Sequence, residues 1–440
     1  MAVVMDAAGE KLHRAHQITS KARAFENKLV RNLVDRENEA YLLTLSLLMG
    51  RNAVLIGDAG TAKSEITNRV SRLVEGSTFS IQLSRDTEAH EILGHFDPVK
   101  FKKEGKLVRS TQGTLLTANI AILDEVFEAN SIVLNALRAP ILENKFYDHG
   151  VAYDIPLWSV LGSSNLVPED PRLAALYDRF VLRGFVQPVG DLGKTEELLR
   201  ASRAIDLEKS GSSDTDAAKE RRRRLFFSRI SGSNGPETGE YEISVSDFRE
   251  FRRLSDQLAD HVLPITAADG ETGEVISAMI ETFADLRTVG IEVSDRNKGR
   301  AQKAIIAAAL LDGKDRAEFG DLRVLRYIVP QRDDQVAEVD AVLRQIIPSQ
   351  RTTMQEVQVA VDSIKRGLTP GMPLTEDVLE NMAEGIETLR ELVGIRDYDQ
   401  QVRSLARRGL DEIEEGLKAS DRPEFGSLKQ RLNLSDAMRQ

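Results

Sequence analysis

Gly57-Asp58-Ala59-Gly60-Thr61-Ala62-Lys63-Ser64 is the stretch whose reading decides the fold. The apolar run Ala53-Val54-Leu55-Ile56 precedes it and reads as a buried strand. Glu65-Ile66-Thr67-Asn68-Arg69-Val70 comes next and reads as the start of a helix. Strand, glycine loop, Lys-Ser and helix make the layout of a phosphate-binding loop. The glycines let the backbone curl until several N–H groups face one anion. The helix start adds free N–H groups and the positive end of its dipole. Lys63 is then placed to reach β- and γ-phosphates, and the Ser64 hydroxyl to hold Mg²⁺. Two residues depart from the usual pattern: Ala62 stands where glycine precedes the lysine, and Asp58 brings a negative charge to a polyphosphate. A glycine-rich turn with a chance Lys-Ser is the plainer alternative for the octet alone.

The surrounding composition narrows the classes. The 440 residues leave room for two or three domains. A net charge of −11 argues against a general nucleic-acid binder. With no cysteine there is neither a disulfide framework nor a thiolate metal site, which fits a reducing cytoplasm. The six histidines are scattered without a metal-ligand spacing. No apolar run has the length of a membrane span, and the N-terminus lacks an apolar signal core, so a cytoplasmic location is expected.

A helix is expected over residues 10–32, and a more apolar one from Asp35, with Tyr41, Leu42, Leu45, Leu48 and Met49 on its face and Gly50 as its stop. Val34 and Asp35 are then candidates for the base of a bound nucleotide, or simply packing residues. A second strand is expected at 80–84. A helix begins at Glu88 and is interrupted at Gly94 by an inserted loop or hairpin reaching Val108, and the helical pattern resumes over 113–118. Ile120-Ala121-Ile122-Leu123 is a buried strand that delivers Asp124 and Glu125 to the carboxyl edge of the sheet. There Asp124 would join the Mg²⁺ shell and Glu125 would polarise the attacking water, unless the pair is only a solvated acidic turn. A helix is expected over 130–142 and a hairpin over 145–156. The strand Ser159–Ser164 ends in Asn165, whose amide can bond a γ-phosphate or orient water. A short helix over 171–180 carries Asp178-Arg179-Phe180, and a last strand covers 181–186. Strands alternating with helices from 53 to 186 predict an α/β domain with a mostly parallel sheet.

Residues 192–205 read as helix and 206–240 as a polar loop containing Arg221-Arg222-Arg223-Arg224, a solvated helix face or an attractor for an acidic partner. From Ser246 the chain reads as helical. Ser294 is a good N-cap for a helix through Leu311, and Arg296 lies in its first turn, where a cation opposes the dipole. A charge so placed calls for a partner, a phosphate among the candidates. Another helix is expected over 321–347. The domain boundaries read as 1–190 for the nucleotide-binding core with its N-terminal helices, 191–347 for an α-helical lid, and 348–440 for a helical accessory segment.

Taken in order, these pieces resemble the MoxR family of AAA+ ATPases, and within it the RavA-like branch, over roughly residues 34–345. Gly57, Asp58, Ala59, Gly60, Thr61, Ala62, Lys63 and Ser64 resemble its Walker A loop, in which alanine before the lysine is usual and proline replaces Asp58. Ile120 to Glu125 resembles Walker B, Asn165 falls at sensor 1, Arg179 at the arginine finger, and Val293-Ser294-Asp295-Arg296 at the sensor-2 segment. The interruption at 94–108 resembles the helix-2 insert, and 145–156 the hairpin before sensor 1. The resemblance implies ATP and Mg²⁺ as cofactors and an AAA+ core with an all-α lid. It also implies a homo-oligomeric ring, usually hexameric, in which Arg179 acts on the neighbour's nucleotide and Arg296 transmits hydrolysis to the lid. It further implies a von Willebrand factor A domain partner and a chaperone-like remodelling role on a protein client, with Phe96, Phe101, Phe146 and Tyr147 as candidate client contacts or plain packing residues. A nucleotide-gated scaffold is the alternative from another class. A nucleic-acid motor is a weaker third, against which the acidity speaks.

Overall fold

The structure is a computed structural model. It describes residues 7–347 apart from 169, 190–193, 196–197, 201–202, 204–240, 267–269 and 271, and beyond 347 some helical positions, 400–419 and 423–425. The chain divides into two compact units, Met1–Val342 and Leu343–Gln440.

The first unit is built on a five-stranded sheet. Its strands are β1 (Asn52–Ile56), β2 (Thr78–Gln82), β3 (Ile120–Asp124), β4 (Ser159–Ser164) and β5 (Phe180–Phe185). They lie in the order β2-β3-β4-β1-β5, and each pairing is parallel. The α/β class expected from the alternating pattern is therefore the class observed. Parallel strands need crossovers that cover both faces of the sheet, which is why β1 is an apolar run after Asn52 and β4, three serines included, is buried at every position. Val54, Ile56, Ala121, Leu123, Val160 and Phe180 belong to one core cluster that continues into the flanking helices.

The crossovers supply those helices. α1 (Ala7–Val30) and α2 (Glu37–Met49) precede β1. α3 (Lys63–Leu73) comes after the glycine loop, and α4 (Ser131–Glu143) after β3, with Asn130 capping it by accepting from the Ile132 and Val133 N–H groups. α2 is buried along almost its whole length, as a helix apolar on every side must be. It stops at Gly50, whose left-handed φ of 57° ends the helix, and a Cβ there would lie 2.7 Å from the Trp158 ring.

Further helices follow β5 among the described residues. α5 (Val245–Gln257), α6 (Glu274–Thr288) and α7 (Asp295–Leu311) lead to α8 (Asp334–Ile346). α1 packs on α2, α5 and α7. Arg14–Glu250 (2.8 Å), Lys21–Asp247 (2.9 Å) and Arg23–Asp312 (2.9 Å) tie it to the later helices. Ser294 caps α7 as expected, its hydroxyl accepting from the Asn297 N–H.

Several boundaries differ from the sequence reading. α2 begins at Glu37, because Asp35 takes a left-handed φ of 62° that a helix cannot include. β2 lies two residues earlier than expected, in register with β3 from Thr78↔Ile120 to Gln82↔Asp124. Residues 113–118 keep only a 3₁₀ turn at Leu115–Thr117. The single helix expected over 321–347 is a 3₁₀ stretch, Phe319–Tyr327, and then α8. Pro330 separates them, since proline lacks an N–H and pushes the residue before it out of the helical region. A two-residue strand, Ile243–Ser244, was not foreseen; it pairs in parallel with Val74–Glu75. The insert over 94–108 holds a short helix, Pro98–Glu104, closed by a bridge between Phe96 and Arg109. The hairpin is Lys145–Asp148 against Val151–Asp154. The polar loop 206–240 with its arginine run lies outside the described residues, as does most of 192–205.

The second unit has its own apolar cluster, including Val357, Val361, Ile364, Met382, Ile386, Leu389 and Phe425. α9 (Gln400–Ala419) adds Ala406, Leu410, Ile413 and Leu417 at helical spacing. Among the described residues no helix is long and apolar enough to cross a membrane.

Candidate functional site

The sheet order decides what meets what. β1 lies between β4 and β5, and β4 lies next to β3, so the glycine loop, Asp124-Glu125 and Asn165 emerge side by side at the carboxyl edge. The loop turns on Gly57, where a Cβ would lie 2.2 Å from the Val186 backbone oxygen. Gly60 is left-handed at φ 82°, with open space where its Cβ would be. Asp58, Ala59 and Gly60 are exposed at the tip. Ala62 takes φ 65°, a strained value for any residue with a Cβ, immediately before α3.

The Lys63 ammonium is curled back into its own loop. Nζ donates to the Gly57 oxygen at 2.5 Å and the Asp58 oxygen at 2.7 Å, lies 3.3 Å from the Thr61 hydroxyl, and donates to Asn165 Oδ1 at 3.2 Å. Burial holds its pKa below the ordinary lysine value, while Glu125, Asp124 and Asp58 oppose that shift. The partners it has chosen are all oxygens, which another oxygen acceptor can replace in kind.

Two carboxylates sit opposite. Asp124 Oδ1 accepts from the Ser64 hydroxyl at 3.0 Å and from the Ser163 hydroxyl. A serine hydroxyl and a carboxylate make a hard oxygen donor set, the kind that suits Mg²⁺. Glu125 stands at φ 52°, which turns the chain sharply off β3. Its Oε1 accepts from Asn165 Nδ2 at 2.7 Å, while its Oε2 is buried without a hydrogen-bond partner. The Asn165 amide thus bridges Lys63 and Glu125. A buried carboxylate oxygen left without a donor beside a glycine cradle is an acceptor that a bound water would satisfy.

Arg179 and Arg296 are not part of this group. No hydrogen bond or ion pair joins either guanidinium to Lys63, Ser64, Asp124, Glu125 or Asn165 among the described residues. Arg296 Nη1 instead donates to Asp178 Oδ2 at 2.7 Å, which supplies the partner its place in the first turn of α7 called for. That partner is a carboxylate of the same chain.

Five residues of consequence were not singled out from the sequence. Ser163 holds Asp124. Arg36, 5% exposed, donates to the Thr61 oxygen at 2.9 Å and the Gln187 oxygen at 3.0 Å, bracing the glycine loop against the exit of β5. Asp178 takes Arg296 and Arg300, and the buried Arg183 lies over the Tyr177 ring just before it. Ser163 had a readable signal, two residues before Asn165 on one strand. The others had none, since their partners are remote in sequence. Asp35, weighed for the nucleotide base, pairs with Lys194 at 2.9 Å. Of the candidate client contacts, Phe96, Phe101 and Tyr147 are exposed, Phe96 with the Arg109 guanidinium 4.1 Å from its ring, and Phe146 packs on the core.

Residues 20–225 match the family model described as the MoxR domain in the MoxR–vWA–β-propeller ternary systems. Two uncharacterized proteins of Methanocaldococcus jannaschii are similar. One is 28% identical over 70% of this chain and 70% of its own length; the other is 25% identical over 92% and 96%. A structural protein of Acidianus two-tailed virus is 30% identical over 39% of this chain and 29% of its own length. A crystal structure from Cytophaga hutchinsonii, described as a candidate ATPase, superposes with a TM-score of 0.51 at 17% identity, over 76% of this chain and 96% of that one. At that identity the likeness speaks for the fold.

Proposed function

We propose that this chain, a MoxR-type AAA+ protein across residues 20–225, hydrolyses ATP between the subunits of a homo-oligomeric ring and uses the cycle to remodel a protein client. The observation that carries the reading is the Asn165 bridge between Lys63 and Glu125, with Asp124 held by Ser64 and Ser163 alongside. On this reading the backbone N–H groups of residues 57–64 and the start of α3 receive the phosphates, and Lys63 leaves its loop oxygens for the β- and γ-phosphate oxygens. Ser64 and Asp124 would hold Mg²⁺, which would supply positive charge to the phosphates when bound. The free Oε2 of Glu125 accepts a proton from water attacking the γ-phosphorus, while Asn165 fixes the carboxylate through Oε1. The bond from the γ-phosphorus to the β–γ bridging oxygen breaks, releasing ADP and phosphate.

Arg179, half-buried and without a side-chain partner among the described residues, supplies charge to the neighbour's nucleotide. Such an arginine is worth roughly 10³–10⁵ in rate. The family model's description supports a von Willebrand factor A domain partner. A hexamer, a RavA-like affiliation, a maturation or chaperone role and a cytoplasmic location complete the reading, and they rest on family resemblance.

ATP hydrolysis measured against protein concentration, for wild type and Arg179→Ala, tests it. Specific activity is expected to rise with concentration in wild type and to be lost in the variant, with nucleotide binding intact. A wild type that binds ATP and hydrolyses none at any concentration, with or without a von Willebrand factor A domain protein, overturns hydrolysis as the function and leaves a nucleotide-gated scaffold.

A further inference from the structure

Near the start of β1, at the opposite end of that strand from the glycine loop, α2, α5 and α7 pack on one another. A cleft of about 280 Å³ opens where they meet, with the buried Phe251 and Ala307 in its lining. Its polar lining is cationic, in a chain of net charge −11. Arg51 stands just past the end of α2, Arg252 on α5 and Lys303 on α7, with the Ser255 hydroxyl on the same wall as Arg252. Asp256 is the one carboxylate of the lining, and Lys303 pairs with it at 2.8 Å.

The two guanidinium groups are left over. Among the described residues neither Arg51 nor Arg252 has a side-chain hydrogen bond or an ion pair, and Arg252 lies 5.5 Å from the Trp158 ring centre. The two are close enough that Arg252 disfavours the Arg51 charge, second to burial, while Asp256 favours it. Like charges brought together from separate elements oppose folding. Three cations against one carboxylate leave a surplus of two charges in the cleft. The carbonyl end of α2 offsets about half a charge of it. What remains matches a phosphate group, which carries about −1.5 to −2 near neutral pH and accepts through three oxygens. Two guanidinium forks suit such a group geometrically. A carboxylate, with one charge, falls short.

We propose that this cleft is a second anion site, built for a terminal phosphate group and separate from the glycine loop, which lies roughly 15 Å away along β1. A phosphate held there ties α5 and α7 to the end of α2, and so to the strand that carries the glycine loop. The site does not depend on hydrolysis at that loop.

Trp158, the only tryptophan, lies beside Arg252 and reports on the cleft. The full chain is titrated with sodium phosphate at neutral pH, with ionic strength held constant by sodium chloride, and Trp158 emission is followed. A saturable change is expected, with the same midpoint in Lys63→Ala, whose glycine loop is impaired. The midpoint is expected to rise about 10- to 100-fold in Arg252→Gln and in Lys303→Met, the scale of one lost hydrogen bond to a charged group. Lys303 is half exposed, so its variant carries the test if Arg252→Gln does not fold. O-phosphoserine and AMP are titrated in the same way. Whichever of the three binds most tightly supports the site and names its source as the free ion, a modified side chain or a nucleotide. No saturable change by fluorescence or calorimetry, an equal response to sodium acetate, or a midpoint that moves in Lys63→Ala and in neither cleft variant overturns the proposal. None of these outcomes bears on ATP hydrolysis, which the Arg179→Ala comparison tests by itself.

Discussion

Glu39 offers a quantitative test of how the glycine-loop strand is supported. It lies in the first turn of α2, is 9% exposed, and its Oε2 has no hydrogen-bond partner. Burial pushes its pKa from the ordinary 4.5 up to about 7; Arg36 and the residue's own backbone N–H pull the other way, and Asp35 and Glu37 add to the rise. Because the folded value lies above the unfolded one, the folded state binds the extra proton between pH 4.5 and 7. Stability therefore falls as pH rises through that window and levels off above it. At about 1.36 kcal/mol per pH unit, the span amounts to about 3 kcal/mol lost by pH 8. Glu39→Gln keeps a neutral side chain of the same shape at every pH. The variant is expected to match wild type near pH 4.5 and to exceed it by about 3 kcal/mol at pH 8. Denaturant unfolding followed by tryptophan fluorescence reads this well, since Trp158 is the only tryptophan and its indole donates to the Leu47 oxygen of the same helix at 2.7 Å. Parallel wild-type and variant stability curves from pH 4.5 to 8 would refute the claim that an unpaired carboxylate is buried there.

Three further substitutions bear on the site. Gly57→Ala places a Cβ 2.2 Å from a backbone oxygen that cannot swing away, so a cost of about 1–3 kcal/mol is expected, together with weaker nucleotide binding, read by melting temperature and fluorescent ADP titration. Ala62→Gly removes about 1–2 kcal/mol of left-handed strain and gives back about 0.4–1 kcal/mol in unfolded-state entropy; an unchanged or slightly raised melting temperature is expected, and a clear drop would show that the Ala62 methyl contributes packing. Glu125→Gln is expected to bind ATP as wild type does and to lose roughly 10²- to 10⁴-fold in turnover; single-turnover hydrolysis at the wild-type rate would remove Glu125 from the chemistry.

The glycine loop, the Asp124-Glu125 strand end and Asn165 were legible in the chain because each is written in consecutive residues. Apolar runs such as those of β1 and β3 mark strands buried on both faces, and the residues just after a parallel strand emerge at the carboxyl edge. Helix ends obeyed the same local logic at Asn130 and Ser294. The reading failed where a local rule was outvoted nearby, as at Asp35 with its positive φ and at Pro330, which splits what looked like one helix.

What the chain determined by itself was therefore the class of the fold and the residues gathered at the carboxyl edge of the sheet. Tertiary structure alone decided the partners: Asn165 between Lys63 and Glu125, Ser163 on Asp124, Arg36 on the loop, and Arg296 on a carboxylate 118 residues away. Backbone propensity and hydrophobic period act between neighbours in sequence, so they can be read along it. Hydrogen bonds and charges act between neighbours in space, and which residues those are is settled only when β4 inserts between β3 and β1 and α7 comes to rest beside the turn before β5.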